Sequence, residues 1–421
     1  MKILFYLNCV KNGILFLILI FFIYFLFNKK IYSKTFQEIK FSKLKKTIRK
    51  LNAYGRKRKP EYILFSDYIL SKYCSDINAF TLFEYYLKNN IDSAYYIINN
   101  ESDLYKSLLQ QNKTKNLLLI NQREYIFDKL FNYILNSKII VQSYVILDFQ
   151  NIVNNVTYLK YLYLNHGITY FKNNFIASEL MYLKEDKRNI ITSSPYEYNI
   201  FINKFNYSSN YIYKAGIARY EKYETIEVDK TEKDCILATF TYRAYNNTLY
   251  EHSLYKINLE KLLNKPTLIE YLKYKNIDLI YVPHHNELFL KKKYNQTNFI
   301  YAKIGEQNKL TQYIKKCKLL ITDFSSISFA FMFQHKPILF YLIDLNDTMN
   351  VSEKMCMDPN NKLYFGNAFL KTPSLIKKVK YYIRKGFQID EKLKFQYDSV
   401  FYYKKNITTR IFSIINNIIN S

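Results

Sequence analysis

The chain has 421 residues, 49% of them hydrophobic, 18% aromatic and 23% charged, a balance that excludes a disordered or collagen-like polymer and leaves an ordered protein of enzyme size. Domains run to about 100–200 residues, so two domains with appendages are expected. The formal net charge of +27 does not imply a nucleic-acid partner: between Asn28 and Lys59 there are 13 Lys+Arg and one acidic residue, so +12 sits in one short stretch, and the remainder is diffuse with no nucleic-acid-binding motif.

The chain begins with an apolar segment, uninterrupted from Ile14 to Phe27. A spanning helix needs about 20 residues, so this one spans if it starts near Lys11. No small-residue cleavage site follows Phe27, which argues against a removed signal peptide. The basic stretch after it places the body on the cytoplasmic side, beside anionic lipid headgroups, whether the segment spans or lies in the interface. The expected organisation is a membrane anchor over 1–28 and a basic linker over 29–59. A first domain over 60–220, a second over 221–404 and a C-terminal helix over 405–421 follow.

From Tyr62 onward, short β-rich runs alternate with amphipathic stretches, the pattern of α/β units with parallel sheets. The first series has strands at Tyr62 to Phe65, Ala94 to Ile98, Asn116 to Ile120, Lys138 to Gln142, Lys160 to Leu164 and Asn189 to Thr192. Helices are expected at Ile77 to Lys88 and Glu124 to Leu135. The second series has strands at Cys235 to Phe240, Asp278 to Val282, Asn298 to Ala302, Lys318 to Thr322 and Pro337 to Tyr341. Two series imply two Rossmann-like domains, with ligands at the carboxyl ends of the strands. Lys405 to Ile419 reads as a last helix returning to the first domain.

Only 7 glycines occur, and each marks a place where backbone freedom or close approach is worth testing. His166 and Gly167 follow the strand Lys160 to Leu164, with Lys172 nearby. An imidazole there suits general-base chemistry near neutral pH, although a lone strand-end His is more often structural. Gly216 and Arg219 lie in KAGIARYE. His284 and His285 follow the strand Asp278 to Val282, and with no carboxylate arranged beside them on one helix face they do not read as a metal site. Leu319 to Thr322 ends at Asp323, and Ser325 and Ser326 then open a helix running to about Gln334. Taken alone, this pair reads as a plain N-cap; the same N-terminus also suits a phosphate. His252 and His335 read as structural. The five cysteines are widely and irregularly spaced, which indicates neither a zinc site nor a disulfide framework.

The ordered set of segments from about Glu61 to Tyr341 resembles the CDP-glycerol glycerophosphotransferase family, the teichoic-acid primases and polymerases. Leu320, Ile321, Thr322, Asp323, Phe324, Ser325 and Ser326 match that family's L-I-T-D-Y-S-S with one aromatic exchange. Ala330 stands where the family usually carries an acidic residue. His166 and Gly167 resemble the family's W-H-G-T-P-x-K, with Asn165 and Ile168 replacing the usual neighbours. Gly216 and Arg219 match T-G-x-P-R-x-D, where Ala218 replaces Pro and Glu221 replaces Asp.

The resemblance implies a GT-B enzyme in which His166 is the general base on an acceptor hydroxyl. It implies that His284, with His285 as the unresolved alternative, Ser325, Ser326, Asp323 and Arg219 hold the phosphates of a CDP-activated donor, with Gly167 and Gly216 shaping the loops. No metal is required, and Mg²⁺ is not excluded. The acceptor would be lipid-linked or polymeric. The open alternatives are a GT-B transferase using CDP-ribitol or a nucleotide sugar in capsule or lipopolysaccharide synthesis, and an inactive membrane scaffold.

Overall fold

The structure is a computed structural model describing residues 42–421, apart from 56–58, 68–77, 122–125, 145–151, 153–154, 166, 169–187, 226–232, 242, 244–252, 285–301, 305, 307–308, 346–359 and 361. The expected apolar anchor lies outside the described residues. Among the described residues no helix is long and apolar enough to cross a membrane.

Thirteen strands are described. β1 to β7 are Tyr62–Ser66, Ala94–Asn99, Leu117–Ile120, Ser137–Gln142, Lys160–Tyr163, Asn189–Thr192 and Ile212–Lys214; β8 to β13 are Cys235–Ala238, Asp278–Tyr281, Lys303–Ile304, Leu319–Thr322, Ile338–Tyr341 and Ala368–Phe369. They form two parallel sheets, ordered β3-β2-β1-β4-β5-β6-β7 and β10-β9-β8-β11-β12-β13. Both follow the doubly wound order, with the switch between β1 and β4 in one and between β8 and β11 in the other. β8, β11 and β12 are buried at every position, which is why they read as continuous apolar runs rather than alternating ones.

The helices used below are α1 (42–55), α2 (Asn78–Lys88), α3 (Asp103–Gln110), α4 (Ile126–Leu135), α5 (Pro195–Asn199), α6 (Leu254–Leu263), α7 (Pro266–Tyr274), α8 (Leu310–Lys316), α9 (Ile327–Phe333), α10 (Thr372–Arg384), α11 (Glu391–Asp398) and α12 (Ile407–Asn420). α2 carries Phe80, Phe83 and Tyr86 against Phe65 and Tyr96 of the first sheet. α1 buries Leu44 and Leu51 in a separate core that includes Leu64, Ile97 and Ile140. The larger core continues from the α2 side of the first sheet, through Ala215, Ile217, Tyr220 and Tyr223, into the second sheet. Tyr220 meets Phe333 of α9 with ring centroids 5.3 Å apart.

α12 packs on α2 and β5, and Lys160 Nζ donates to the Ile418 carbonyl near its end at 2.5 Å. The expected strand Asn298 to Ala302 lies outside the described residues except Ala302, and the ladder there is made by Lys303–Ile304. β7 and β13 were not expected, because edge strands of three and two residues carry too few side chains to show a period.

Candidate active site

In the second domain the ends of β8 and β11 are locked together. Thr322 Oγ1 donates to the Thr239 carbonyl at 2.6 Å, and Thr239 Oγ1 donates to the Val282 carbonyl at 2.8 Å. The Asp323 carboxylate accepts from Thr241 N at 3.0 Å and Thr241 Oγ1 at 2.9 Å, and pairs with Arg243 Nη2 at 2.9 Å. Arg243 also reaches Asp344 through Nε at 2.6 Å and Nη2 at 2.8 Å, and its Nη1 donates to the Thr241 carbonyl. Its guanidinium lies over Phe324, 4.7 Å from the ring centroid. All three charged side chains are fully buried. Burial works against the Arg243 charge, but the Asp323 and Asp344 carboxylates more than reverse it and hold its pKa well above the ordinary arginine value.

Ser325 and Ser326 follow at the start of α9, both half-buried. Ser326 has helical backbone angles, φ −62° and ψ −13°, and its side chain makes no cap hydrogen bond. The first turn is closed by Phe329 N to the Ser326 carbonyl at 3.2 Å and Ser328 N to the Ser325 carbonyl at 3.1 Å. The Ser326 hydroxyl is therefore not used as a cap, contrary to the plain reading of the sequence.

The first domain approaches the same place. Beyond β5, Asn165 takes φ +62°, a left-handed turn that Asn tolerates better than most residues. Its side chain donates to the buried Glu197 of α5 at 2.7 Å, and Glu197 also accepts from Ser193 N. Gly167 sits so close to the second domain that a Cβ on it would lie 3.2 Å from Ser326 Oγ and 4.0 Å from Arg219 Nη2. Gly167, Arg219 and Ser326, each beyond the carboxyl end of a strand, thus lie near one another.

A family model described as CDP-glycerol:poly(glycerophosphate) glycerophosphotransferase matches residues 51–417. The chain belongs to this family. Among curated relatives, the minor teichoic acid biosynthesis protein GgaB of Bacillus subtilis (strain 168) is 25% identical over 366 residues, 82% of this chain and 39% of GgaB. The chain thus spans about two-fifths of that relative's length. Among solved structures, the wall teichoic acid polymerase TagF superposes with a TM-score of 0.62 at 15% identity over 92% of this chain and 98% of that chain. A histidine variant of TagF soaked with CDPG gives a TM-score of 0.62 at 16% identity, with the same coverages. The S. aureus MnaA–UDP co-structure gives 0.55 at 12% identity over 85% of this chain and 97% of that chain. These structural likenesses show the shared GT-B fold.

The remaining residues singled out from the sequence are placed as follows. His166, Lys172, His285 and His252 lie outside the described residues. His284 is half-buried two residues beyond Val282, past the end of β9. Asp323 is not turned toward the cleft: its carboxylate is fully buried and engaged by Thr241 and Arg243, a scaffold position rather than a phosphate-facing one. Gly216 packs against α12, where a Cβ would meet Ile407 at 2.9 Å. Glu221, in the Asp position of the family motif, accepts from Ile407 N at 2.6 Å and Thr408 N at 3.0 Å and so holds the start of α12. Ala330 is buried in the core, where a carboxylate would be desolvated. His335 bonds Asp398 at 2.7 Å and Lys404 at 2.9 Å, away from the cleft. Among the described residues no group of three or more His, Cys, Asp or Glu could hold a metal.

Sequence reasoning missed Arg243, Asp344 and Glu197. A signal for Arg243 existed in T-Y-R directly after a buried strand. Asp344 pairs with it across 101 residues, a partnership that no local pattern encodes.

Proposed function

We propose that this chain transfers glycerol phosphate from CDP-glycerol to a hydroxyl of a lipid-linked or polymeric cell-surface acceptor. In this scheme His166 takes the acceptor proton, the hydroxyl oxygen bonds to the β-phosphorus, and the bond from that phosphorus to CMP breaks. Such catalysis is mostly positioning and charge stabilisation. Arg219 supplies charge to the transferring group; Ser325, Ser326 and His284 or His285 cradle the pyrophosphate; the Asp323–Arg243 pair holds the wall of that cradle.

The observation carrying the reading is the placing of Gly167 so close to both Ser326 and Arg219, three residues picked from separate family motifs, that a Cβ on it would lie 3.2 Å from Ser326 Oγ and 4.0 Å from Arg219 Nη2. No step is routed through a metal, and Mg²⁺ dependence is read by repeating the assay with EDTA. Exposed Lys45, Lys46, Arg49 and Lys50 on α1, outside a buried Leu44–Leu51 stripe, support placement against anionic lipid on the cytoplasmic side, with the anchor preceding it.

The test is nucleotide release by detergent-solubilised full chain given CDP-glycerol, CDP-ribitol or nucleotide sugars, with and without membrane lipids. CMP release from CDP-glycerol, reduced by about 10²–10⁴-fold in His166→Ala, is expected. Release from another donor alone would move the substrate, and no turnover with any donor would return the inactive scaffold.

A further inference from the structure

We propose that Asn78 is a positioning residue, whose side-chain amide holds Asn165 and Arg219 at a fixed separation and so sets how Gly167 sits between Arg219 and Ser326. The inference rests on the transferase reading above for its kinetic consequence, and on geometry alone for its structural one.

Asn78 is the first residue of α2 and is fully buried. Its backbone position is set by Asp67, one residue past β1. The Asp67 carboxylate accepts from Ala79 N and Phe80 N at 2.9 Å each, from Tyr96 OH at 2.9 Å and from the Ser143 hydroxyl. With the first turn of α2 pinned in this way, the Asn78 side chain is left to bond elsewhere. Its Nδ2 donates to the Asn165 carbonyl at 2.9 Å, with a longer contact to the Leu164 carbonyl at 3.5 Å. Its Oδ1 accepts from Arg219 N at 3.3 Å. One short side chain thus ties the two backbone segments that carry the site's groups, 87 and 141 residues further along the chain.

The chemistry of the site asks for asparagine. The amide must donate on one side and accept on the other. Aspartate keeps the acceptor for Arg219 N but turns a carboxylate toward two carbonyl oxygens; alanine leaves both sides unpaired in a buried place. Displacement of either segment by about 1 Å is enough to cost on the order of 10²-fold in rate. Because a Cβ on Gly167 would already lie 3.2 Å from Ser326 Oγ and 4.0 Å from Arg219 Nη2, a shift of Gly167 or of Arg219 alone changes the spacing between them.

The experiment uses the full chain with membrane lipids and compares wild type, Asn78→Ala, Asn78→Asp, Arg219→Ala and the Asn78→Ala/Arg219→Ala double variant. Both Asn78 variants are expected to lose about 10–100-fold in kcat while KM for CDP-glycerol moves less than about threefold. In the Arg219→Ala background the Asn78→Ala loss should shrink to no more than the Asn78→Asp loss, because only the Asn165 tether is then left to matter. A residue that matters only for folding would give the same factor in both backgrounds, and that additivity, or a wild-type kcat in Asn78→Asp, overturns the proposal.

Hydrogen exchange separates failure of this inference from failure of the transferase reading, because it needs no turnover. The Arg219 amide should exchange faster in Asn78→Ala than in wild type and stay protected in Asn78→Asp. Should a variant fail to fold, loss of protection throughout β1 and β4 exposes that, and the remaining variant decides. Equal protection of Arg219 in wild type and Asn78→Ala overturns the geometry whatever the enzyme's substrate proves to be.

Discussion

The two switch points share a strand order but are held by different chemistry. In the first sheet the carboxylate beyond β1, Asp67, is met among the described residues by neutral donors: two backbone amides, a tyrosine and a serine. In the second, Asp323 beyond β11 shares Arg243 with Asp344. Both acids are fully buried, yet the consequences diverge. Burial pushes the Asp67 pKa up despite four hydrogen bonds that favour its charged form, whereas Arg243 is held firmly charged by its two acids. Neutral donors can fix a carboxylate in place but only partly replace water, while an ion pair compensates the charge itself. The first site therefore suits a place where small backbone adjustments matter, and the second a rigid wall.

The largest effect expected from this contrast is at Arg243. Arg243→Met leaves Asp323 and Asp344 facing each other in a dry site, and breaking a buried pair this way costs about 3–5 kcal/mol. Asp67→Asn keeps an acceptor and removes only part of its hydrogen bonding, so a loss of about 1–2 kcal/mol is expected. Urea unfolding of the two variants measures both. Equal losses would mean that the ionic character of the second site carries no special weight.

The same contrast explains what could be read from the sequence. Buried parallel strands are written as continuous apolar runs, so β8, β9, β11 and β12 were legible, as were the His284 and Ser325–Ser326 positions that follow β9 and β11. The partners that make those ends rigid were not. Asn78 reaches Arg219, and Arg243 reaches Asp344, across separations with no local signature. Asp323 illustrates the limit: the motif identified it, but only its contacts show that it faces inward toward Arg243. Gly216 is similar, since rarity marked it as special while its reason lies in Ile407, far along the chain.

Gly216 sharpens the comparison, because the first domain also leans on α12. Its added Cβ would approach Ile407 side-chain atoms at 2.9, 3.0 and 3.1 Å. Overpacking of this kind costs about 1–3 kcal/mol, so Gly216→Ala should destabilise by that amount. Ile407→Val makes room on the facing side and should recover part of the loss in the double variant. If the two substitutions simply add, the contact is not what excludes a side chain at this position.

The remaining effect depends on pH and concerns a buried cation without the acids that Arg243 enjoys. Lys336, at the opposite edge of the second sheet, donates to the carbonyls of Ile314, at 2.8 Å, and Lys315, near the end of α8. Burial, reinforced by Lys318 and Lys315 and opposed by Cys317 and Cys235, pulls its pKa down to about 7. Between that value and the ordinary lysine value of 10.5 the unfolded chain holds a proton that the native chain has released. Stability should therefore rise with pH across this window, and the penalty should be complete below pH 7. Thermal melting from pH 6.5 to 9 should show the midpoint climbing in wild type and climbing less in Lys336→Met, with the two curves converging toward alkaline pH. An identical slope in the variant would mean that Lys336 keeps its proton, and that helix-end carbonyls can hold a buried charge as Asp323 and Asp344 hold Arg243.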